Sequence, residues 1–339
     1  MTATISDVAK LAKVSKKTVS RVINNEDSVA DGTRQKVLDA IEQLDYVPSA
    51  MATSLAKGRA NCIGMLLPHL TWSLILDILR GVTEIVEPSN YALTLYSMTR
   101  NEESVRNFTN RMVRAKQIDG LIVLTPPGML EYLTELHSKG LPLVLIDDHG
   151  YNPAFSSVVT TNFDGGYAAT KHLLDTGRQR IAFINGPRDY GCNQERLAGY
   201  RQALQDFGLI VDSNLIYEDG DYTDAGDRGS IGAIKSFLEQ GVEFDAVFAA
   251  NDTMAFGVMI ALRQAGFRIP DDIAVVGFDN IPATAYTNPT LTTIQQPFYE
   301  MGQTAARVLI DALNGNPLPD APIEVPTSLI VRDSSSPKR

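Results

Sequence analysis

Short β-branched runs alternate with amphipathic stretches from Asn61 onward, and this alternation limits the fold more than any other feature. The runs are "CIGMLLP", "YALTLYSM", "GLIVLTP", "PLVLIDD", "RIAFING", "AVFAAND" and "IAVVGFDN". Between them lie helical patterns such as "ESVRNFTNRMVRA", "GGYAATKHLLDT", "RLAGYRQALQDF" and "TMAFGVMIALRQA". Strands that alternate with helices predict parallel sheets covered on both faces. The series occurs twice, before and after about residue 162, with no fixed short period, which predicts two α/β lobes rather than a solenoid. Ligands of such sheets sit beyond the carboxyl ends of the strands, here in the cleft between lobes.

The first 60 residues read differently. Thr4-Ile5-Ser6-Asp7 fits a capping box, and Ile5, Val8, Ala9 and Ala12 follow at helical spacing. "KVS" breaks that pattern, and Ser15 can cap a second helix that turns Val19, Val22 and Ile23 inward. After the polar turn "NNEDS", a third helix from about Asp31 to Leu44 carries Val37, Leu38, Ile41 and Leu44 on one face. Tyr46-Val47-Pro48 ends it. "SAMATSLAKGRA" is too short and too weakly apolar to be stable alone and reads as a hinge.

Charge separates the two parts. The chain has 339 residues and a net charge of −10, yet five basic side chains (Lys10, Lys13, Lys16, Lys17, Arg21) stand against the single acid Asp7 within the first 21 residues. Residues 1–60 are net +2 and the remainder net −12. An acidic body repels phosphate, so any nucleic-acid contact falls to the first segment. Two helices around the turn Lys13-Val14-Ser15 match a helix-turn-helix, whose second helix presents its first side chains to base edges. Lys16, Lys17 and Arg21 can pair with guanine acceptors or phosphates. Taken alone, the same pattern equally describes a small helical domain with solvated lysines.

Other functions find little footing. No GxSxG, P-loop or GxGxxG motif follows a strand. His69, His137, His149 and His172 form no HxxxH pair, and Cys62 and Cys192 lie far apart, so neither a metal nor a cofactor site is expected. The cysteines read as reduced thiols of a cytoplasmic protein. The N-terminus lacks the pattern of a signal peptide, and the apolar runs are too short to span a bilayer.

Five ordered motifs, "TISDVAKLAKVSKKTVSRVIN", "TRQKVLDAIEQLDYVPSAMATSLA", "VFAANDTMAFGVMIALRQAG", "IPDDIAVVGFDN" and "PTLTTIQQP", give the chain a resemblance to the LacI/GalR family of bacterial transcription regulators over residues 4 to about 332. The resemblance implies an N-terminal all-α helix-turn-helix domain (1–48), a hinge helix (49–60) and an α/β two-lobed, periplasmic-binding-protein-like body (61–333), followed by a polar tail (334–339). The lobes would comprise 61–162 with 296–327, and 163–294 with 328–333. It further implies a DNA-binding set of Ser15, Lys16, Lys17, Thr18, Arg21 and Asn24, with Leu55 wedged into the minor groove. Without it, Leu55 reads as a packing residue. Lys16-Lys17 depart from the family's small, polar or aromatic residues, which leaves the operator sequence open.

The same resemblance places Asp147, Arg196, Tyr222, Asn251, Asp252, Asp279 and Phe298 along the cleft. Arginine, aspartate and asparagine at strand ends suit a polyhydroxylated ligand, because each hydroxyl finds a partner. Against this, Asp252 and Asp164 also fit helix N-caps, the preferred reading of Asp252. Trp72 and Ser73 lie in the strand-to-helix loop "PHLTWSLIL", where the indole can stack on a sugar ring; packing in the core is the alternative for a lone tryptophan. His69 reads as a solvated loop residue. The expected protein is a repressor, a homodimer on a pseudo-palindromic operator in double-stranded DNA, controlled by a small-molecule effector, a sugar or short oligosaccharide before a purine. A solute-binding protein and an α/β enzyme are the alternatives. The tail "VRDSSSPKR" has no heptad pattern, hence a dimer rather than a tetramer, with no membrane partner.

Overall fold

A computed structural model describes residues 3–24, 26–46, 59–67, 74–97, 106, 110, 112–113, 117–124, 130–147, 155–188, 190–218 and 226–336. Most of the hinge segment and the expected site residues Leu55, Trp72, Ser73 and Tyr222 lie outside them, as do His69 and most of "ESVRNFTNRMVRA". The chain divides into two compact units, residues 1–61 with 115–118 and the remainder.

The first unit contains α1 (Ile5–Leu11), α2 (Lys16–Ile23) and α3 (Asp31–Gln43). The Asp7 carboxylate accepts the Thr4 backbone N–H at 3.0 Å and the Thr4 hydroxyl at 2.6 Å, which fastens the start of α1. At its end the N–H groups of Lys13 and Val14 return to the carbonyls of Lys10 and Ala9, with Lys13 at φ 55°. This six-to-one closure turns the chain sharply into α2. Ser15 caps α2 as expected, accepting the Thr18 N–H at 3.1 Å. Val8, Ala9, Ala12, Val19, Val22, Val29, Val37 and Ala40 form the core. Leu38, expected on the inner face of α3, is 45 % exposed, because it lies one helical step round from the stripe of Val37, Ala40, Ile41 and Leu44.

The second unit holds two six-stranded sheets. The first has the order β11-β5-β4-β3-β1-β2, built from β1 (Cys62–Leu67), β2 (Ala92–Ser97), β3 (Gly120–Leu124), β4 (Leu143–Ile146), β5 (Ser156–Thr160) and β11 (Ile323–Val325). The second has the order β12-β10-β9-β8-β6-β7, from β6 (Ile181–Ile184), β7 (Ile216–Tyr217), β8 (Ala246–Ala249), β9 (Ala274–Asp279), β10 (Thr292–Gln295) and β12 (Ser328–Ile330). Every pairing is parallel except β10 with β12. β3, β4, β6 and β8 are buried throughout, as strands covered on both faces must be.

Helices α4 (Leu74–Val86), α5 (Leu130–Ser138) and α10 (Phe298–Leu313) belong with the first sheet. There Met301, Ala305 and Leu309 of α10 join Ile63, Met65 and Ile122 in one core. Helices α6 (Asn162–Asp175), α7 (Gly191–Asp206), α8 (Gly226–Glu239) and α9 (Asp252–Gln264) pack with the second sheet. The chain therefore passes between sheets three times, after β5, after β10 and between β11 and β12. Two of these passages are tied together. The Thr161 hydroxyl accepts the Thr327 N–H at 3.0 Å and lies 3.0 Å from the Thr327 hydroxyl.

Helices α6 and α7 approach closely through glycines. A Cβ at Gly199 would stand 2.1 Å from the Phe163 carbonyl oxygen, and one at Gly166 would stand 2.4 Å from that of Arg196. Gly199→Ala should therefore separate the helices and destabilise the protein by ~1–3 kcal/mol in urea unfolding. Gly232→Ala, at an open position of α8, should be neutral or stabilising by up to ~1 kcal/mol. Equal effects of the two substitutions would contradict this account.

Candidate functional site

The first candidate surface is the start of α2. Ser15, Lys16 and Lys17 are exposed, and Thr18, Arg21 and Asn24 are half-buried. Val19 and Val22 anchor the opposite face in the core. The Ser15 and Thr18 hydroxyls lie 2.9 Å apart. Arg21 pairs with Glu26 at 3.6 Å, with both side chains more than two-fifths exposed, so the pair adds little stability and can be exchanged. Asn24 reaches the Ser20 hydroxyl at 3.4 Å, and its Oδ1 is buried without a hydrogen-bond partner.

The second lies at the carboxyl ends of the strands. A cavity of about 170 Å³ is lined by Leu74, Asp77, Asp279, Asn280, Gln296 and Phe298, among others. Asp279 ends β9, and Asp147 follows β4, the corresponding third strand of the other sheet. Both have positive φ, 61° for Asp147 and 116° for Asp279, and Asn280 follows at 58°. Such values are uncommon outside glycine and require support from the surroundings. Asp252 supplies part of it, accepting the Ile281 N–H at 2.8 Å and the Thr293 hydroxyl at 2.6 Å. A Cβ at Gly277 would come within 2.3 Å of Asp252 Oδ1, so glycine makes room for the carboxylate. Arg332, beyond β12, donates to Asn280 Oδ1 at 2.7 Å and to the Leu291 carbonyl at 2.7 Å.

These contacts revise the expected caps. Asn251, not Asp252, caps α9, accepting the Met254 N–H at 2.8 Å. Asp252 is fully buried and turns toward the β9 turn instead. Asp164 lies in the first turn of α6 after the cap position, which Thr161 occupies. Both acids sit one or more residues too far along the helix for their side chains to reach back as caps.

Arg196, on α7, is 3 % exposed. Its Nε donates to Asn162 Oδ1 at 2.7 Å, its Nη1 donates to the Ala250 carbonyl at 2.6 Å, and the guanidinium lies 3.8 Å from the Phe278 ring centroid. Burial pushes the Asp279 carboxyl up from 3.8 to about 6, opposed by Arg196 and the Gln296 amide and reinforced by Asp147. Asp252 is held well above the usual carboxylate range by burial, with the charge of Asp279 adding to the effect. Burial also pushes the Cys192 thiol up to about 12, so this cysteine is an inert thiol of α7.

The structure thus brings together Asp147, Arg196, Asp279 and Phe298, with Arg196 behind Phe278, while Asn251 is spent on the α9 cap. Sequence reasoning missed Asp77, Asn280 and Gln296. Gln296 stands in the quoted motif "PTLTTIQQP", at the passage from β10 to α10, and a polar pair before a proline at a strand end was the available signal. Among the described residues, no group of three or more His, Cys, Asp or Glu is placed to hold a metal ion. No helix among them is long and apolar enough to cross a membrane.

Comparisons with known proteins match both units. A family model described as bacterial regulatory proteins, lacI family, matches residues 4–49, and one for a periplasmic binding protein-like domain matches residues 170–335. An HTH-type transcriptional repressor PurR from Photobacterium profundum is 35 % identical over 333 residues, covering 98 % of each chain. Catabolite control protein A from Priestia megaterium is 32 % identical over 99 % of this chain and 100 % of its own. Among solved structures, the lac repressor dimer bound to operator and the anti-inducer ONPF superimposes with a TM-score of 0.87 at 27 % identity, covering 99 % of each chain. The transcriptional regulator CelR in complex with cellobiose gives 0.74 at 31 % identity over 98 % of this chain and 99 % of that one.

The raised Asp279 carboxyl has a measurable consequence. Folding disfavours its ionised form, so its contribution to stability is intact below about pH 4 and is lost as pH rises through about 6. Asp279→Asn removes that loss. Its stability should exceed that of the parent protein increasingly between about pH 4 and 6 and by a constant margin above, on the order of 1–3 kcal/mol, since one pKa unit is ~1.4 kcal/mol, with a melting temperature raised to match. Thermal melts across this range test it, and a parent protein more stable than the variant at pH 8 would contradict it.

Proposed function

The chain belongs to the lacI family of bacterial regulatory proteins, and on that footing we propose a DNA-binding transcriptional repressor whose operator affinity is set by a small effector in the strand-end cavity. The observation that carries the proposal is the extent of the likeness. The operator-bound lac repressor matches over 99 % of this chain, across both the basic helical unit and the two-sheet body. Its curated relatives are DNA-binding regulators rather than enzymes.

In this reading α2 enters the major groove of a pseudo-palindromic operator. Ser15, Lys16, Lys17, Thr18, Arg21 and Asn24 face bases and phosphates, and Leu55 wedges into the minor groove. The two lysines neutralise phosphate or read guanine, while Thr18 and Ser15 are held in register by their shared capping contact. A homodimer supplies two such helices, one for each half-site. The protein works in the cytoplasm, associated with the nucleoid when bound to its operator.

The effector site comprises Trp72, Ser73, Asp147, Arg196, Tyr222, Asn251, Asp279 and Phe298. Asp279 and Asp147 offer acceptors at corresponding strand ends of the two lobes, so one ligand that engages both favours one arrangement of lobes over another. Only such differential affinity can move the DNA-binding equilibrium, by ~1–3 kcal/mol in typical cases. A carbohydrate is the proposed effector class, supported by the polar strand-end groups and by the cellobiose complex of a similar regulator. A purine is the second reading.

Binding to duplex DNA tests the regulator reading. With an operator selected from random sequence, the full-length protein should lose affinity steeply with salt, with log K falling by about 0.9 per log unit of salt for each phosphate neutralised. A fragment starting at Asn61 should not bind. Equal binding by both, or by neither, would refute the reading. A thermal-shift screen of sugars and nucleobases should raise the melting temperature only for compounds that bind the folded state.

A further inference from the structure

Two carboxylates line the strand-end cavity beside the amides of Asn280, Gln295 and Gln296. Asp77, exposed on the first turn of α4, and Asp279 both line it. Asp147 lies close enough to act on the Asp279 charge. Arg196, the cation beside them, has Nε and Nη1 committed to Asn162 and the Ala250 carbonyl, is 3 % exposed, and is not among the groups lining the cavity. The described lining contains no lysine, arginine or histidine.

Gln296 sharpens the demand. Its side chain is 94 % removed from solvent, being 6 % exposed, and it lines the same cavity. Its Nε2 donates to Asp279 Oδ1 at 2.6 Å, which fixes the orientation of the amide. Oε1 is left buried with no hydrogen-bond partner. Leaving a buried acceptor unpaired is costly, and the cost is relieved by any donor brought next to it. A neutral hydroxyl could supply the donor but would add no positive charge to that of Arg196, which alone opposes the mutual repulsion of Asp147 and Asp279. An ammonium group carries three donors and a second positive charge, and its bonds to carboxylate are among the stronger ones. The apolar wall of Leu74, Ile281, Pro282 and Phe298 remains for the C–H face of a ring.

We propose that the effector is an amino sugar, whose ammonium group bridges Asp279 and Gln296 Oε1 with Asp77 on the facing wall. This rests on the reading of the cavity as a carbohydrate-effector site and narrows its class.

Matched pairs test it on the full-length protein: glucosamine against glucose, galactosamine against galactose, and the disaccharide of deacetylated chitin against cellobiose. All are measured by calorimetry and thermal shift at a pH where the amine is protonated. At least one amino member should bind about tenfold or more tightly than its neutral counterpart, the scale of one charge-assisted bond. Asp77→Asn, a surface substitution compatible with the fold, should reduce that preference, and Asp279→Asn, within the binding set, should weaken the amino member more than its neutral counterpart. Neutral members binding as tightly as amino members, or no response to any amino member, overturns the proposal. If neutral sugars alone respond, the carbohydrate reading survives without the amine. If hypoxanthine, guanine or adenine alone responds, both fail.

Discussion

A single buried guanidinium organises the strand-end edge of the second lobe. Arg196 reaches from α7 to the first residue of α6 through Asn162 and to the end of β8 through the Ala250 carbonyl, and it stacks on Phe278 of β9. Three elements that are distant in sequence are thereby held at one point. Such a charge could not be buried unless its donors were met and a ring covered its face. The glycines of α6 make this possible. A side chain at Gly165 would collide with the Phe278 ring, and one at Gly166 with the backbone of Arg196 itself. Asp279 follows directly after Phe278, so the position of its carboxylate inherits the rigidity of this clamp.

The turn after β9 is built in the same manner. Asp279 and Asn280 hold unfavourable backbone angles with Asp252 accepting the Ile281 N–H and Arg332 donating to the Asn280 side-chain oxygen and the Leu291 carbonyl. Arg332 follows β12, which the chain reaches directly from the first sheet, so the site turn is braced by one of the passages between lobes. The Thr161–Thr327 bonds tie that passage to the one after β5. A ligand that engages both lobes therefore acts on groups mechanically joined to the chain crossings. This is the kind of element whose equilibrium a ligand can bias.

The division of charge complements the division of structure. Basic side chains cluster around α1 and α2, and residues 61–339 are net −12. Affinity for phosphate is thus confined to one small helical unit, while the acidic body gains an acceptor-rich cavity. A body rich in carboxylates is well suited to ligands that bring donors or positive charge and poorly suited to non-specific contact with DNA.

Local chemistry was legible in the sequence. The Thr4–Asp7 and Ser15 caps, the runs that became buried parallel strands and the helix-turn-helix all follow from interactions within a few residues, where residue type and spacing are sufficient. The assignment of Asp252 failed because its carboxylate has two local options, and Gly277, Ile281 and Thr293 decide between them from 25 to 41 residues away. Gln296 and Asp77 were missed for a similar reason. Asp77 stands in no motif and belongs to the first lobe, while Gln296 reaches Asp279 only through the side-by-side pairing of β9 and β10. The sequence by itself determined the two units, their elements and the location of the basic helix, since periodicity and capping are short-range. Only the tertiary structure decided which acceptors share one cavity and which arginine is spent in holding it, because those facts depend on close packing among residues that the sequence leaves far apart.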